Sequence, residues 1–378
     1  MDFELTDEQR MVQDTVRDLL ARGYTAERRN AVIATDLGYD PAIWRTLAEI
    51  GVLGLTFAED DGGMGAGPVE AMLVATELGR RLAPEPVLTA ALIPGGLIAA
   101  AGTELQRKEI LPKVAEGELR LAFAHTEPGH RYPAPATATT AVRRGDSWEL
   151  SGRKHPVAAG DSADLLIVSA ATESGTGLFL VDPAAAGVTR RPYRAHDGSR
   201  GADIEFASVP AIALGAVGDS APDAAEHIDA ATVRAQALLC AEAVGAMEEA
   251  LRLTTEYLKT RKQFGVALRT FQTLTQRAAD MYVSLELARS MSYYVTMSLA
   301  DGAVDPMIAA RAKLRVGRSG RHIGQEAVQL HGGIGMTAEY PVGHYLARLT
   351  AIEHTLGDST DHLRRLAAHV GDHQLAEL

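Results

Sequence analysis

Arg261-Lys262-Gln263-Phe264-Gly265 and, about 65 residues further on, Gln329-Leu330-His331-Gly332-Gly333-Ile334-Gly335 gather unusual chemistry into two short runs. A guanidinium can donate two parallel hydrogen bonds to an oxyanion, and paired glycines let a ligand approach the backbone closely. Phe264 adds a flat apolar wall and Gln329 an amide. Taken singly, Arg261-Lys262 reads as a solvated helix end and His331-Gly332-Gly333 as a helix stop. Their joint occurrence points to a binding site. His125, His331 and His354 have a spacing that suits no metal-ligand set, and no metal is expected. Arg315, Arg318 and Arg321 share one helical face, which reads as a solvated face.

These groups need rigid elements to hold them. Thr6 followed by Gln9 is a capping-box pattern, and Met11, Val12, Val16, Leu19 and Leu20 recur at helical spacing. Further helices are expected over 41–55, 69–82, 90–101 and 104–115, with Glu59-Asp60-Asp61-Gly62-Gly63-Met64-Gly65 as a loop. From about Leu119 the period changes. Short segments around 121–126, 148–152, 165–168, 177–181 and 202–206 lie between turn residues and favour a β domain. Long helical patterns then cover 231–260, 271–300, 306–330 and 341–368, whose natural packing is a bundle. The expected division is an N-terminal helical domain (1–118), a middle β domain (119–222) and a C-terminal four-helix bundle (223–378). The fold class is therefore mainly α with a central β domain.

Composition sets the outer limits. In 378 residues the formal net charge is −12, with 46% hydrophobic and 23% charged residues, the balance of a globular protein rather than a disordered one. That charge argues against a nucleic-acid partner but not against an anionic ligand on a local basic patch. A single cysteine, Cys240, excludes an intrachain disulfide. No apolar run approaches the ~20 residues of a membrane span, so no membrane partner is expected. The acidic start at Asp2, Glu4, Asp7 and Glu8 does not resemble a secretory signal, and cytoplasm is the expected location.

The two motifs, with Thr126-Glu127-Pro128 before them and Glu339-Tyr340-Pro341 after them, resemble the acyl-CoA dehydrogenase family over essentially the whole chain. Ala124-His125-Thr126-Glu127-Pro128 and Gly160-Asp161-Ser162-Ala163-Asp164 are similar to its small-subunit type, such as the pimeloyl-CoA dehydrogenase small subunit. The resemblance implies FAD as cofactor and an acyl-CoA thioester as substrate. A carboxylate would take the α proton, the flavin the β hydrogen, and hydrogen bonds would stabilise the developing enolate. It further implies that Arg261, Phe264, Gln272, Gln329, Gly332 and Gly333 clamp a neighbouring subunit's FAD, and that Phe123 and Thr126 lie beside the flavin ring.

Elsewhere the chain departs from the family pattern. Arg131-Tyr132-Pro133 replaces Gly-Ser-Asp, and Pro156-Val157-Ala158 replaces Trp-Ile-Thr, so a methyl stands where a hydroxyl usually meets the flavin. The family's glutamate falls on Leu356, before Gly357, and an alternative base position falls on Ala235. Neither can accept a proton. Two carboxylates are candidate substitutes. Glu242 lies two helical turns after Ala235 amid Ala241, Ala243 and Val244, where an apolar setting would raise its pKa towards base chemistry. Asp358 lies two residues beyond Leu356. A kept clamp beside a lost base implies a second acyl-CoA dehydrogenase-like subunit, as in a dimer or an α2β2 tetramer, and a flavoprotein as electron acceptor. The alternatives are a self-sufficient homo-oligomer using Glu242 or Asp358, and a flavin-free structural subunit.

Overall fold

A computed structural model describes residues 5–129, 138–145, 147–215 and 221–372. Six helices come first: α1 (Asp7–Gly23), α2 (Ala26–Ile33), α3 (Pro41–Glu49), α4 (Pro68–Arg81), α5 (Ile93–Ala101) and α6 (Glu104–Ala115). Seven strands follow: β1 (Leu121–Ala124), β2 (Thr140–Arg144), β3 (Ser147–Ala158), β4 (Leu165–Thr172), β5 (Gly175–Val181), β6 (Val188–Arg194) and β7 (Arg200–Ala213). After α7 (Ala225–Thr260) comes a small hairpin, β8 (Lys262–Gln263) and β9 (Val266–Ala267). The chain ends in α8 (Gln272–Ala300), α9 (Pro306–His331), α10 (Val342–His354) and α11 (Ser359–Ala368). Among the described residues no helix is long and apolar enough to cross a membrane.

The chain divides into two compact units. One comprises Met1–Asn30, Pro68–Ala83 and Gln236–Leu378, the other Ala31–Gly67 and Pro84–Ala235. In the second unit the strands run β1-β4-β2-β3-β7-β5, and β5 returns to pair with β4, so the sheet closes on itself and leaves few free edges. Leu150, Val157, Leu166, Val168, Phe179, Ile204 and Phe206 fill its interior. The sequence pattern misses β2 and β6 because neither alternates cleanly. β6 reads Val-Thr-Arg-Arg-Pro-Tyr-Arg and, among the described residues, pairs with β7 alone, so it accommodates Pro192 at an edge.

In the first unit the Thr6 and Gln9 capping box starts α1 as expected. Glycines allow one close helix crossing. A Cβ at Gly79 would lie 1.9 Å from the Glu242 carbonyl oxygen, and one at Gly245 would lie 1.9 Å from that of Thr76, so α4 and α7 meet backbone to backbone. Two helical expectations need correction. α3 ends at Glu49, short of residue 55, because Gly51 turns the chain at φ 79°. The helix expected over 341–368 is two helices. Leu356 and Gly357 take φ of 57° and 95°, and Asp358 caps the next helix, a stop and restart that the apolar period conceals.

Candidate functional site

Where α7 ends, Arg261 closes the last turn with its amide on the Tyr257 carbonyl (2.8 Å). The chain then folds back through β8 and β9, with Phe264 and Gly265 both at positive φ (53° and 84°) in the two-residue turn. Such a turn suits Gly265 but strains a phenylalanine. Phe264 is nonetheless 91% exposed, its ring set edge-on to that of Phe271 with centroids 6.2 Å apart. Arg261 and Gln272 are exposed as well. A strained, bare aromatic ring contributes little to this chain's own stability.

The second motif forms the end of α9. Gln329 is exposed on the last helical turn, and Gly332 leaves the helix at φ 66°. A Cβ at Gly332 or Gly333 would meet nothing within 4 Å, so this backbone is open to a ligand. His331 is buried. One ring nitrogen pairs with the Ala327 carbonyl (2.7 Å), the other with the Tyr340 hydroxyl (3.2 Å), and burial pushes its pKa down. Its ring packs on Tyr257 at 4.5 Å between centroids. That contact joins the ends of α7 and α9, and with them the two motifs. A guanidinium, two amides, a flat ring and open glycine backbone suit the phosphates and planar rings of a dinucleotide.

The β unit holds Phe123 and Thr126, both half-buried, at the end of β1. The Phe123 ring stacks on His125 (5.2 Å, 7° between planes), and the Thr126 carbonyl accepts the His155 amide (2.9 Å). Beneath them lies a buried polar knot that sequence reading overlooked. Lys154, wholly buried, donates to the His125 carbonyl (2.9 Å), Glu127 Oε1 (3.0 Å) and Ser169 Oγ (3.2 Å). Burial alone would raise the Glu127 pKa, but hydrogen bonds from the Ala138 and Thr139 amides and from Lys154 outweigh it and hold the group down at about 2. Burial lowers Lys154 to about 8 against the pull of Glu127. The available signal was period two: Lys154 shares the inward face of β3 with Leu150. Ala158 is exposed on β3 opposite Gly201, and Arg131-Tyr132-Pro133 lie outside the described residues.

The two substitute bases have structural work. Glu242 is buried as expected, but the Arg348 guanidinium grips both its oxygens, Nε to Oε1 at 2.6 Å and the second nitrogen to Oε2 at 2.8 Å. This cation arrives from α10, more than 100 residues away in sequence, and the apolar run around Glu242 gives no sign of it. A carboxylate with both oxygens engaged by one guanidinium is poorly placed to take a substrate proton. Asp358 is the N-cap of α11, accepting from the Thr360 and Asp361 amides (2.9 and 3.0 Å). Leu356 is half-buried, its carbonyl accepting the Gln236 side-chain amide (2.9 Å), and Ala235 is buried. Sequence reading also missed Lys313, buried on α9 with its ammonium on the Ile352 carbonyl (2.5 Å), where it caps the end of α10.

Comparison with known proteins matches three family models in succession. These are the N-terminal domain of acyl-CoA dehydrogenase over residues 6–118, its middle domain over 122–209 and its C-terminal domain over 230–371. The acyl-CoA dehydrogenase IpdE2 of Mycobacterium tuberculosis is 31% identical, with 96% of this chain and 98% of that protein covered. A short-chain-specific acyl-CoA dehydrogenase of Clostridium acetobutylicum is 29% identical, with 93% and 95% covered. Among solved structures, a variant of the Tcur3481-Tcur3483 steroid ACAD is 33% identical at a TM-score of 0.88, covering 97% of this chain and 98% of that one.

Proposed function

Since the chain belongs to the acyl-CoA dehydrogenase family, a family of FAD-dependent enzymes, we propose that it is one subunit of a heteromeric acyl-CoA dehydrogenase whose clamp completes an FAD site of its partner. One contrast carries this reading. Arg261, Phe264, Gln272 and Gln329 all stand exposed, while Leu356 and Ala235 occupy the base positions and both substitute carboxylates are engaged within the fold. A relative with 33% identity bears a name that joins two components, Tcur3481-Tcur3483, which supports a paired assembly. The steroid in that name makes a bulky acyl group the first substrate class to try.

When bound, FAD accepts the hydrogen leaving the β carbon of the acyl-CoA. This chain's residues would hold that cofactor. Arg261 would pair with pyrophosphate oxygens through two hydrogen bonds, Gln272 and Gln329 would offer amides, and Phe264 would wall off solvent. Gly332 and Gly333 would leave room for the phosphate chain at the backbone. Thr126, on the β unit, would turn its hydroxyl to the ring of the flavin bound on this chain's own side rather than to the one its clamp completes. The α proton would go to a carboxylate on the partner, and the electrons would pass to an electron-accepting flavoprotein. We place the assembly in the cytoplasm.

Co-expression with an acyl-CoA dehydrogenase-like chain carrying the glutamate absent at Leu356 tests the proposal. A yellow complex that dehydrogenates acyl-CoA, and whose FAD content falls at least tenfold on Arg261→Ala, is the expected result. If the chain purifies alone with one FAD per subunit and full activity, the division of labour is wrong.

A further inference from the structure

The knot under Thr126 has more order than packing requires. A fully buried ammonium is costly unless all three of its protons are accepted, and Lys154 finds three acceptors at 2.9, 3.0 and 3.2 Å. An apolar side chain could fill the space without that requirement. Each acceptor, moreover, belongs to the segment that ends β1 or is tied to it. The His125 carbonyl lies in that segment, Glu127 follows Thr126, and Ser169 Oγ also pairs with the His125 ring at 2.8 Å. Glu127 is itself anchored by the Ala138 and Thr139 amides (3.0 and 2.8 Å). The β1 ladder holds Phe123 and Ala124 opposite Ile167 and Val168, and the His125 and Thr126 carbonyls accept from Lys154 and the His155 amide, so the backbone is held from Phe123 to Thr126, while the Phe123 and His125 ring stack and the Glu127 carboxylate anchor the side chains at either end. The Thr126 hydroxyl stands apart: among the described residues it makes no hydrogen bond. The frame is locked and one donor is left available.

We infer that Lys154 is a positioning residue for the cofactor: its three hydrogen bonds set the 123–127 turn so that the Thr126 hydroxyl meets the flavin, while Lys154 itself touches no ligand. The inference rests on the reading above in one respect, that Thr126 faces FAD. It accounts for the use of a lysine where leucine or methionine would pack. The ammonium fixes the direction of a carbonyl, a carboxylate and a hydroxyl at once, and apolar contacts have no such directionality.

Lys154→Met and Glu127→Gln separate a positioning role from a structural one. In the flavin-free chain, hydrogen exchange of the 121–127 amides should quicken at least tenfold in Lys154→Met, while β5 and β7 keep their protection. In the co-expressed assembly, FAD affinity should fall at least tenfold and the flavin absorption maximum should move, since its hydrogen-bond donor is displaced. Glu127→Gln, which keeps Lys154 in place and removes one charge-assisted bond, should show the same changes at several-fold size, and it carries the test if Lys154→Met does not fold. Folded variants with wild-type FAD affinity and an unshifted flavin band would overturn the inference. If instead the wild-type assembly holds no flavin, the cofactor reading fails on its own. The exchange comparison then still decides whether Lys154 sets the turn, with unchanged exchange ruling it out.

Discussion

At the scale of single residues, local sequence shows what a side chain can do and conceals what it is doing. Glu242 sits among alanines and a valine, which suggests an uncompensated carboxylate, yet Arg348 satisfies both oxygens. Glu242→Gln should therefore leave turnover of the assembled enzyme unchanged and lower unfolding stability by about 1–3 kcal/mol, since the guanidinium loses its anionic partner. Paired kinetics and urea titrations read the two effects, and a collapse of turnover without a stability loss would restore Glu242 as the base. Glu127 gives a pH signature. Its folded pKa of about 2 lies below the usual 4.5, so between those values the unfolded chain binds more protons than the native one. The stability it contributes is complete above about pH 4.5 and disappears as the pH falls through 2. Glu127→Gln should flatten that part of the stability profile, measured by thermal unfolding against pH.

At the scale of elements, the decisive features are places where backbone meets backbone or reverses direction. Gly245 lies with its missing Cβ 1.9 Å from the Thr76 oxygen, whereas Gly96 in α5 has nothing within 4 Å. Gly245→Ala should push α4 and α7 apart at a cost of about 3 kcal/mol or more. Gly96→Ala should stabilise by about 0.5–1 kcal/mol through helix propensity alone. Opposite shifts in the urea midpoint would verify the crossing, and equal shifts would refute it. The sequence pattern located most helices because their apolar period and caps are local, as with Thr6 and Gln9. It ran two helices together at Leu356 because a single left-handed leucine before Gly357 interrupts the backbone without interrupting the apolar spacing.

For the whole molecule, the question is what covers the exposed groups of the proposed clamp. Phe264, Ile334 and Met336 are 91%, 43% and 76% exposed, apolar surface that a lone chain gains nothing by presenting. Phe264→Ser should leave the melting temperature of the isolated chain within about 1 °C, because the ring buries almost nothing. The same change should weaken assembly with the proposed catalytic partner at least tenfold, as read by sedimentation velocity. An isolated chain that melts markedly lower would mean the ring serves this fold instead.

The sequence alone determined the order of helices, strands and helices and the family, and it singled out the residues proposed to clamp a dinucleotide, because these depend on periodicity, caps and short motifs within one stretch of chain. Only the tertiary structure decided which charged groups remain available. The Arg348 grip on Glu242, the Lys154 knot under Thr126 and the Tyr257 contact that unites the two motifs each join residues distant along the chain. A buried ionisable group takes its character from the partner that reaches it, and that partner is chosen by the packing of the fold rather than by its neighbours in sequence.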